Sequence, residues 1–125
     1  MQVDPTSFAG LSLHRFGVAF GQRVVLADVT LQLSPTGIDV LMGPVKTGKS
    51  SLLRTLAGYN DNNPSLRVWG SALYQGAART PGHQPALVVQ KAQLLVSTVL
   101  ENLLGGLPDR AQLTRAQQLD RLRQI

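Results

Sequence analysis

The sequence predicts an α/β fold, and three observations carry that reading. Residues 38–42 form a short apolar run that leads into a glycine-rich loop, and helical spacing follows at once. Val29, Leu31 and Leu33 alternate with Thr30, Gln32 and Ser34, the period-two pattern of a half-buried strand. Residues 86–90, Ala-Leu-Val-Val-Gln, form a second short apolar run of the kind buried in a sheet.

The elements follow in chain order. Leu11–Phe20 reads as a strand, with Gly17 weakening its middle. Gly21-Gln22-Arg23 is a polar break, so the strand ending at Leu33 is expected to run antiparallel to the first. Ser34-Pro35-Thr36-Gly37 is a turn. Residues 38–42 are expected as a buried strand, although Asp39 interrupts them. Residues 49–57 have helical spacing, with Leu52, Leu53, Leu56 and Ala57 on one face and Gly58 as the closing glycine. Residues 60–64 are loop, Leu66–Tyr74 is extended with a bend at Gly70, and residues 77–85 are loop again.

Residues 98–104 make a short helix stopped by Gly105-Gly106. Thr114-Arg115-Ala116-Gln117 has the capping-box pattern, and Leu119, Leu122 and Ile125 recur at helical spacing after it. That last helix meets no capping glycine or proline, which is the expectation for a fold that continues beyond it.

Composition narrows the function classes. The chain has 125 residues, of which 43% are hydrophobic, so a packed core is expected and wholesale disorder is not. Cysteine is absent, which excludes a disulfide scaffold and a zinc-thiolate site and favours an intracellular setting. His14 and His83 are too few for a histidine-rich metal centre. No apolar run approaches the ~20 residues that span a bilayer. The first six residues lack the basic-then-apolar pattern of a secretory leader. The formal charge of +5 suits polyanions, nucleotides included. The basic residues are scattered and form no tract, which argues against nucleic acid as the main partner.

The most informative stretch is Gly43-Pro44-Val45-Lys46-Thr47-Gly48-Lys49-Ser50, which fits G-x-x-x-x-G-K-[ST] at every fixed position. It lies between an apolar run and a helix, the context the motif requires. The chemistry explains the residue types. Backbone N–H groups of the loop and the helix N-terminus converge on a polyphosphate, and the helix dipole favours the anion there. Glycine permits backbone conformations and close approach that a side chain would block. Lys49 places an ammonium against the β and γ phosphates, and the Ser50 hydroxyl is suited to ligate Mg²⁺.

With these residues in view, the chain resembles the nucleotide-binding domain of ABC transporter ATPases from about Leu11 onward. Three segments in the family's order carry the resemblance. Phe20-Gly21-Gln22-Arg23-Val24-Val25-Leu26-Ala27-Asp28-Val29-Thr30-Leu31 is similar to the segment that carries an aromatic adenine contact. The second runs from Val40-Leu41-Met42 through the motif and Ser51-Leu52-Leu53-Arg54-Thr55-Leu56-Ala57 to Gly58. The third, residues 86–103, is similar to the glutamine loop and contains Gln90. Residues 59–70 look most like those of phosphate-importer ATPases.

The resemblance implies a phosphate-loop fold of ABC type, a mixed sheet with an antiparallel β subdomain, present as the N-terminal part of the domain over residues 1–125. It implies ATP and Mg²⁺ as cofactors. Phe20 would stack on adenine and Val25 would be a second adenine contact. Gly43, Pro44, Val45, Lys46, Thr47, Gly48, Lys49, Ser50 and Ser51 would hold the nucleotide, and Ser50 with Gln90 would hold Mg²⁺. The segment after Gln90 would face a transmembrane permease subunit, a homodimer is expected of the full-length protein, and the place of action would be the cytoplasmic face of the cell membrane.

Two departures from the family pattern stand out. Lys46 takes a position usually held by glycine, and Val45 one usually held by serine or asparagine. If the backbone there needs a positive φ, Lys46 costs about 1 kcal/mol or more. It would otherwise add a cation near the phosphates, and the sequence leaves both readings open. The second departure is larger. The signature motif, the second Walker strand with its aspartate and catalytic glutamate, and the switch histidine have no counterpart in these residues. Leu103-Leu104-Gly105-Gly106-Leu107 lacks the serine and glutamine of the signature and reads as a helix ending. No catalytic residue is therefore assigned. The expected function is Mg·ATP binding with poor hydrolysis, because the group that positions the attacking water is missing. A sheet without its neighbouring strand would also expose apolar surface and open strand edges. The alternatives are a non-enzymatic remnant or interaction protein that keeps the fold, and a phosphate-loop kinase or GTPase of another class.

Overall fold

The computed structural model describes residues 8–91 and 96–125. They fall into two compact units, Met1–Leu87 and Val88–Ile125. The reading of the first six residues as leaderless lies outside the described residues, as do residues 92–95 of the segment after Gln90.

The first unit is a small α/β arrangement built on one antiparallel sheet. Its strands are β1 (Leu11–Phe20), β2 (Arg23–Leu33), β3 (Leu66–Tyr74) and β4 (Ala77–Ala78), in the order β2-β1-β3-β4. The β1–β2 turn is Gly21-Gln22, where Gly21 alone has a positive φ, +58°, the two-residue pattern with glycine first. Gln75-Gly76 joins β3 to β4 with both residues at positive φ, the hairpin turn whose twist matches its strands. Residues 77–85 are therefore not wholly loop, since the first two form β4.

Register breaks explain which side chains share a face. Arg15 in β1 and Asp28 in β2 lie at φ +47° and +53°, and the pairing shifts between Leu13 and Phe16 and again between Phe16 and Val18. An inserted residue resets the two-residue period. Leu13 and Phe16, three apart, consequently both reach the core, as do Leu26 and Val29. That core is Leu13, Phe16 and Val18 of the sheet with Leu52 and Leu56 of helix α1 (Lys49–Leu56). The period of the α1 leucines is thus what packs the helix on the sheet. Gly58, at φ +78°, follows the Ala57 cap and lets Tyr59 N–H reach the Arg54 carbonyl at 2.9 Å, which ends the helix. Gly17 leaves the space that Trp69 fills: a Cβ there would lie 2.0 Å from Trp69 Cε2.

Two expected strands do not form. Residues 38–42 and 86–90 carry no strand hydrogen bonding, so the mixed sheet reduces to its antiparallel part among the described residues. A strand exists only through pairing, and these runs have no partner among the described residues. Ile38, Val40 and Met42 are accordingly 93%, 73% and 83% exposed, and Val88 94%. Beside residues 39–41, an apolar groove of about 500 Å³ remains open between β1, β2 and α1.

The second unit holds α2 (Val99–Gly105), a 3₁₀ turn (Arg110–Gln112) and α3 (Arg115–Arg123). Thr98 caps α2 by accepting from Glu101 N–H, and Gly106 closes it, so Gly105-Gly106 is a helix ending. Thr114 and Gln117 form the capping box of α3. Leu104 and Leu107 are buried, and the Gln118 amide donates to the carbonyls of Arg110 and Leu113 at 3.1 and 3.0 Å. Ile125, expected to continue the apolar spacing of α3, is 95% exposed.

Candidate functional site

The glycine-rich loop enters α1 through Gly48, whose φ is +89°. A Cβ at Gly48 would stand 2.9 Å from Leu26 Cδ2 and 3.1 Å from Val25 Cγ1. Glycine is required twice over, by conformation and by this approach to β2. Val25 and Leu26 are thus the sheet residues set against the loop. Phe20 is half-buried at the end of β1 and packs against the core cluster. Leu26 was not among the residues the motif singled out. It reaches the loop because the β2 bulge at Asp28 and a second register shift between Leu26 and Val24 alter the alternation, which the sequence marks only as a slip in its apolar period.

The loop is braced from inside. Lys49 Nζ donates to the Gly43 carbonyl at 2.7 Å and also to the Pro44 carbonyl. It lies 3.1 Å from Thr47 Oγ1, whose hydroxyl donates to the Pro44 carbonyl at 2.8 Å. Three oxygens of the loop therefore engage the Lys49 ammonium. Lys46 has φ +65°, so the backbone does demand the conformation that a side chain resists. The strain reading of Lys46 therefore holds. Its ammonium makes no hydrogen bond or ion pair among the described residues.

Residues 45–51 line a concavity of about 300 Å³. Its walls bring Lys46 and Lys49 together with the Thr47, Ser50 and Ser51 hydroxyls, and no carboxylate lies among them. No side chain caps α1, and no acidic residue occupies its first turn. The first N–H groups of the helix therefore keep free valence, and nothing neutralises the positive end of its dipole. This donor set fits a polyphosphate. Ser50 is exposed at the second position of the helix and could ligate a divalent ion that arrives with such a ligand. No group of three or more histidine, aspartate or glutamate side chains suited to a metal occurs among the described residues. Gln90 belongs to the second unit, where it is exposed in an irregular stretch. Trp69 and Tyr74 are sheet residues: Trp69 covers Gly17, and the Tyr74 carbonyl accepts from His83 Nε2 at 2.7 Å. No helix among the described residues is long and apolar enough to cross a membrane.

A glycine-rich loop that opens a helix, carries two lysines and has no carboxylate in its lining has the chemistry to receive an anion. The comparisons narrow that class. No protein-family model matches the chain, and no solved structure matches it. Curated relatives do: the chain is 33% identical over 105 residues to the phosphate import ATP-binding protein PstB 1 of Streptococcus pyogenes serotype M3, and equally to the proteins of that name from serotypes M1 and M18. The alignment covers 78% of this chain and 42% of each relative, so the chain spans less than half their length. The chain is thus a homologue of ABC transporter ATP-binding proteins, and its similarity is of the phosphate-importer kind.

Proposed function

We propose that this chain binds Mg·ATP as the N-terminal part of an ABC-type ATP-binding domain of phosphate-loop fold. In that reading the 43–51 loop holds the phosphates through its amides, Lys49 meets the β and γ phosphates, and Ser50 with Gln90 ligates Mg²⁺. Phe20 and Val25 contact adenine. The domain would energise solute import, phosphate being the solute that the relatives' names indicate. It would act as a homodimer on the cytoplasmic face of the membrane and meet a transmembrane permease through the segment after Gln90. Without a second Walker aspartate or a catalytic glutamate in its 125 residues, the chain alone would hydrolyse ATP poorly.

The observation that carries the proposal is the carboxylate-free concavity at the uncapped start of α1, with Val25 against Gly48 beside it. Thermal unfolding with and without Mg·ATP tests it. A ligand at a hundred times its dissociation constant stabilises by about 2.7 kcal/mol, so a clear rise in Tm is expected. Lys49→Ala should abolish that rise. An unchanged Tm in the parent chain overturns the proposal and favours the non-enzymatic reading. An equal response to GTP, insensitive to Phe20→Ala, overturns the adenine assignment.

A further inference from the structure

Resting on the reading of residues 43–51 as a nucleotide site, we infer that Lys46 is a second phosphate ligand and sets the preference for a triphosphate over a diphosphate. Two lysines line this concavity, and they differ in what they already hold. Lys49 is engaged by the Gly43 and Pro44 carbonyls and by Thr47 Oγ1. An ammonium has three donors, so without ligand all of them are turned to the loop, and Lys49 meets phosphate only by giving up some of these contacts. Lys46 lines the same space, is exposed, and has an ammonium with no partner among the described residues.

The backbone points the same way. Lys46 sits at φ +65°, where glycine is at ease and lysine is not. A strained residue is held by its surroundings and marks a position worth testing for function. Here the strain falls on a cation, in a concavity that holds a second cation and no carboxylate. The two like charges are best relieved by a bound anion, and the relief grows with the charge of that anion.

Position decides which phosphate Lys46 meets. The amides at the loop–helix junction suit the inner phosphates. Lys46 precedes that junction, two residues before the Gly48 cap, and is open to solvent. It therefore faces the outermost phosphate, which a triphosphate has and a diphosphate lacks.

The test compares Mg·ATP and Mg·ADP binding by calorimetry for the full chain and for Lys46→Asn, Lys46→Gly and Lys46→Arg. Asparagine and glycine both accept positive φ, so those variants keep the loop while removing the charge. The expected result is ATP affinity reduced about tenfold in both, the scale of one hydrogen bond to a charged group, with ADP affinity nearly unchanged. Lys46→Arg should retain the parent preference. The apo Tm of Lys46→Gly should equal or exceed that of the parent, which separates a lost ligand from a damaged fold. Equal weakening of ATP and ADP, or no change in either, overturns the inference while leaving the nucleotide site standing. Failure of the parent chain to bind either nucleotide overturns both.

Discussion

Lys49 Nζ lies 2.7 Å from the Gly43 carbonyl oxygen and so ties the first residue of α1 to the start of the loop, six positions earlier. The loop holds its shape by a side chain from its own exit. The same ammonium is the group expected to meet the phosphates, so the brace and the binding group coincide. Lys49→Gln should therefore change two things by different amounts. The apo protein should lose about 0.5–1.5 kcal/mol, the net worth of an intramolecular hydrogen bond. The Tm rise with Mg·ATP should disappear. Circular dichroism melts with and without ligand measure both.

Gly17→Ala should destabilise the first unit by about 1–3 kcal/mol, the cost of overpacking. The added methyl would lie 2.0 Å from Trp69 Cε2 and 2.1 Å from Cζ2, so the indole has to leave its seat. Urea unfolding followed by far-ultraviolet dichroism reads the change as a lower midpoint with an unaltered slope.

Leu104→Ala should destabilise the second unit by about 2–5 kcal/mol, as expected for a buried leucine removed from a packed site. Leu104 is 0% exposed, and Leu107 of the same unit is also buried. Hydrogen exchange at the α2 and α3 amides measures the effect. Protection there should fall while the β1 amides stay as they were.

Glu101 supplies a pH prediction. Arg115 Nη2 donates to Glu101 Oε1 at 2.6 Å, and Arg110 Nη2 lies 3.7 Å from Oε2. The Arg115 hydrogen bond holds the carboxyl below its ordinary value of 4.5; desolvation opposes the shift, and the charges of Arg115 and Arg110 add to it. The folded value is depressed, so the contribution to stability is present above 4.5 and is lost as pH falls from there through the folded pKa. A carboxyl titration by NMR should show the Glu101 midpoint below 4.5 in the parent and closer to it in Arg115→Ala. Added salt should shrink the difference, because the pair is exposed to screening.

How much of this was readable in the sequence depends on where each structural cause lies. The loop was readable because its causes are local: glycine at Gly48, lysine at Lys49 and helical spacing after them. The capping box at Thr114 was readable for the same reason, since both partners sit within four residues. The bulges at Arg15 and Asp28 were not readable. Neither residue is glycine, and the inserted position shows only as a slip in the apolar period. Leu26 was missed as a neighbour of the loop through that slip. Residues 38–42 and 86–90 are apolar and read as buried strands but form none, because strand formation needs partners that apolar composition alone does not supply. At Lys46 the sequence posed the choice between strain and added charge, and the φ of +65° answers the first half.

The seat of Trp69 on Gly17 has a practical consequence. Trp69 is the only tryptophan in the chain, it is 37% exposed, and it sits at the seam of β1 and β3 in the first unit. Its intrinsic fluorescence is therefore a label-free reporter for that seam, while the second unit contains no indole and stays optically silent. Emission and helical ellipticity recorded on one sample would show whether the two units melt together or apart.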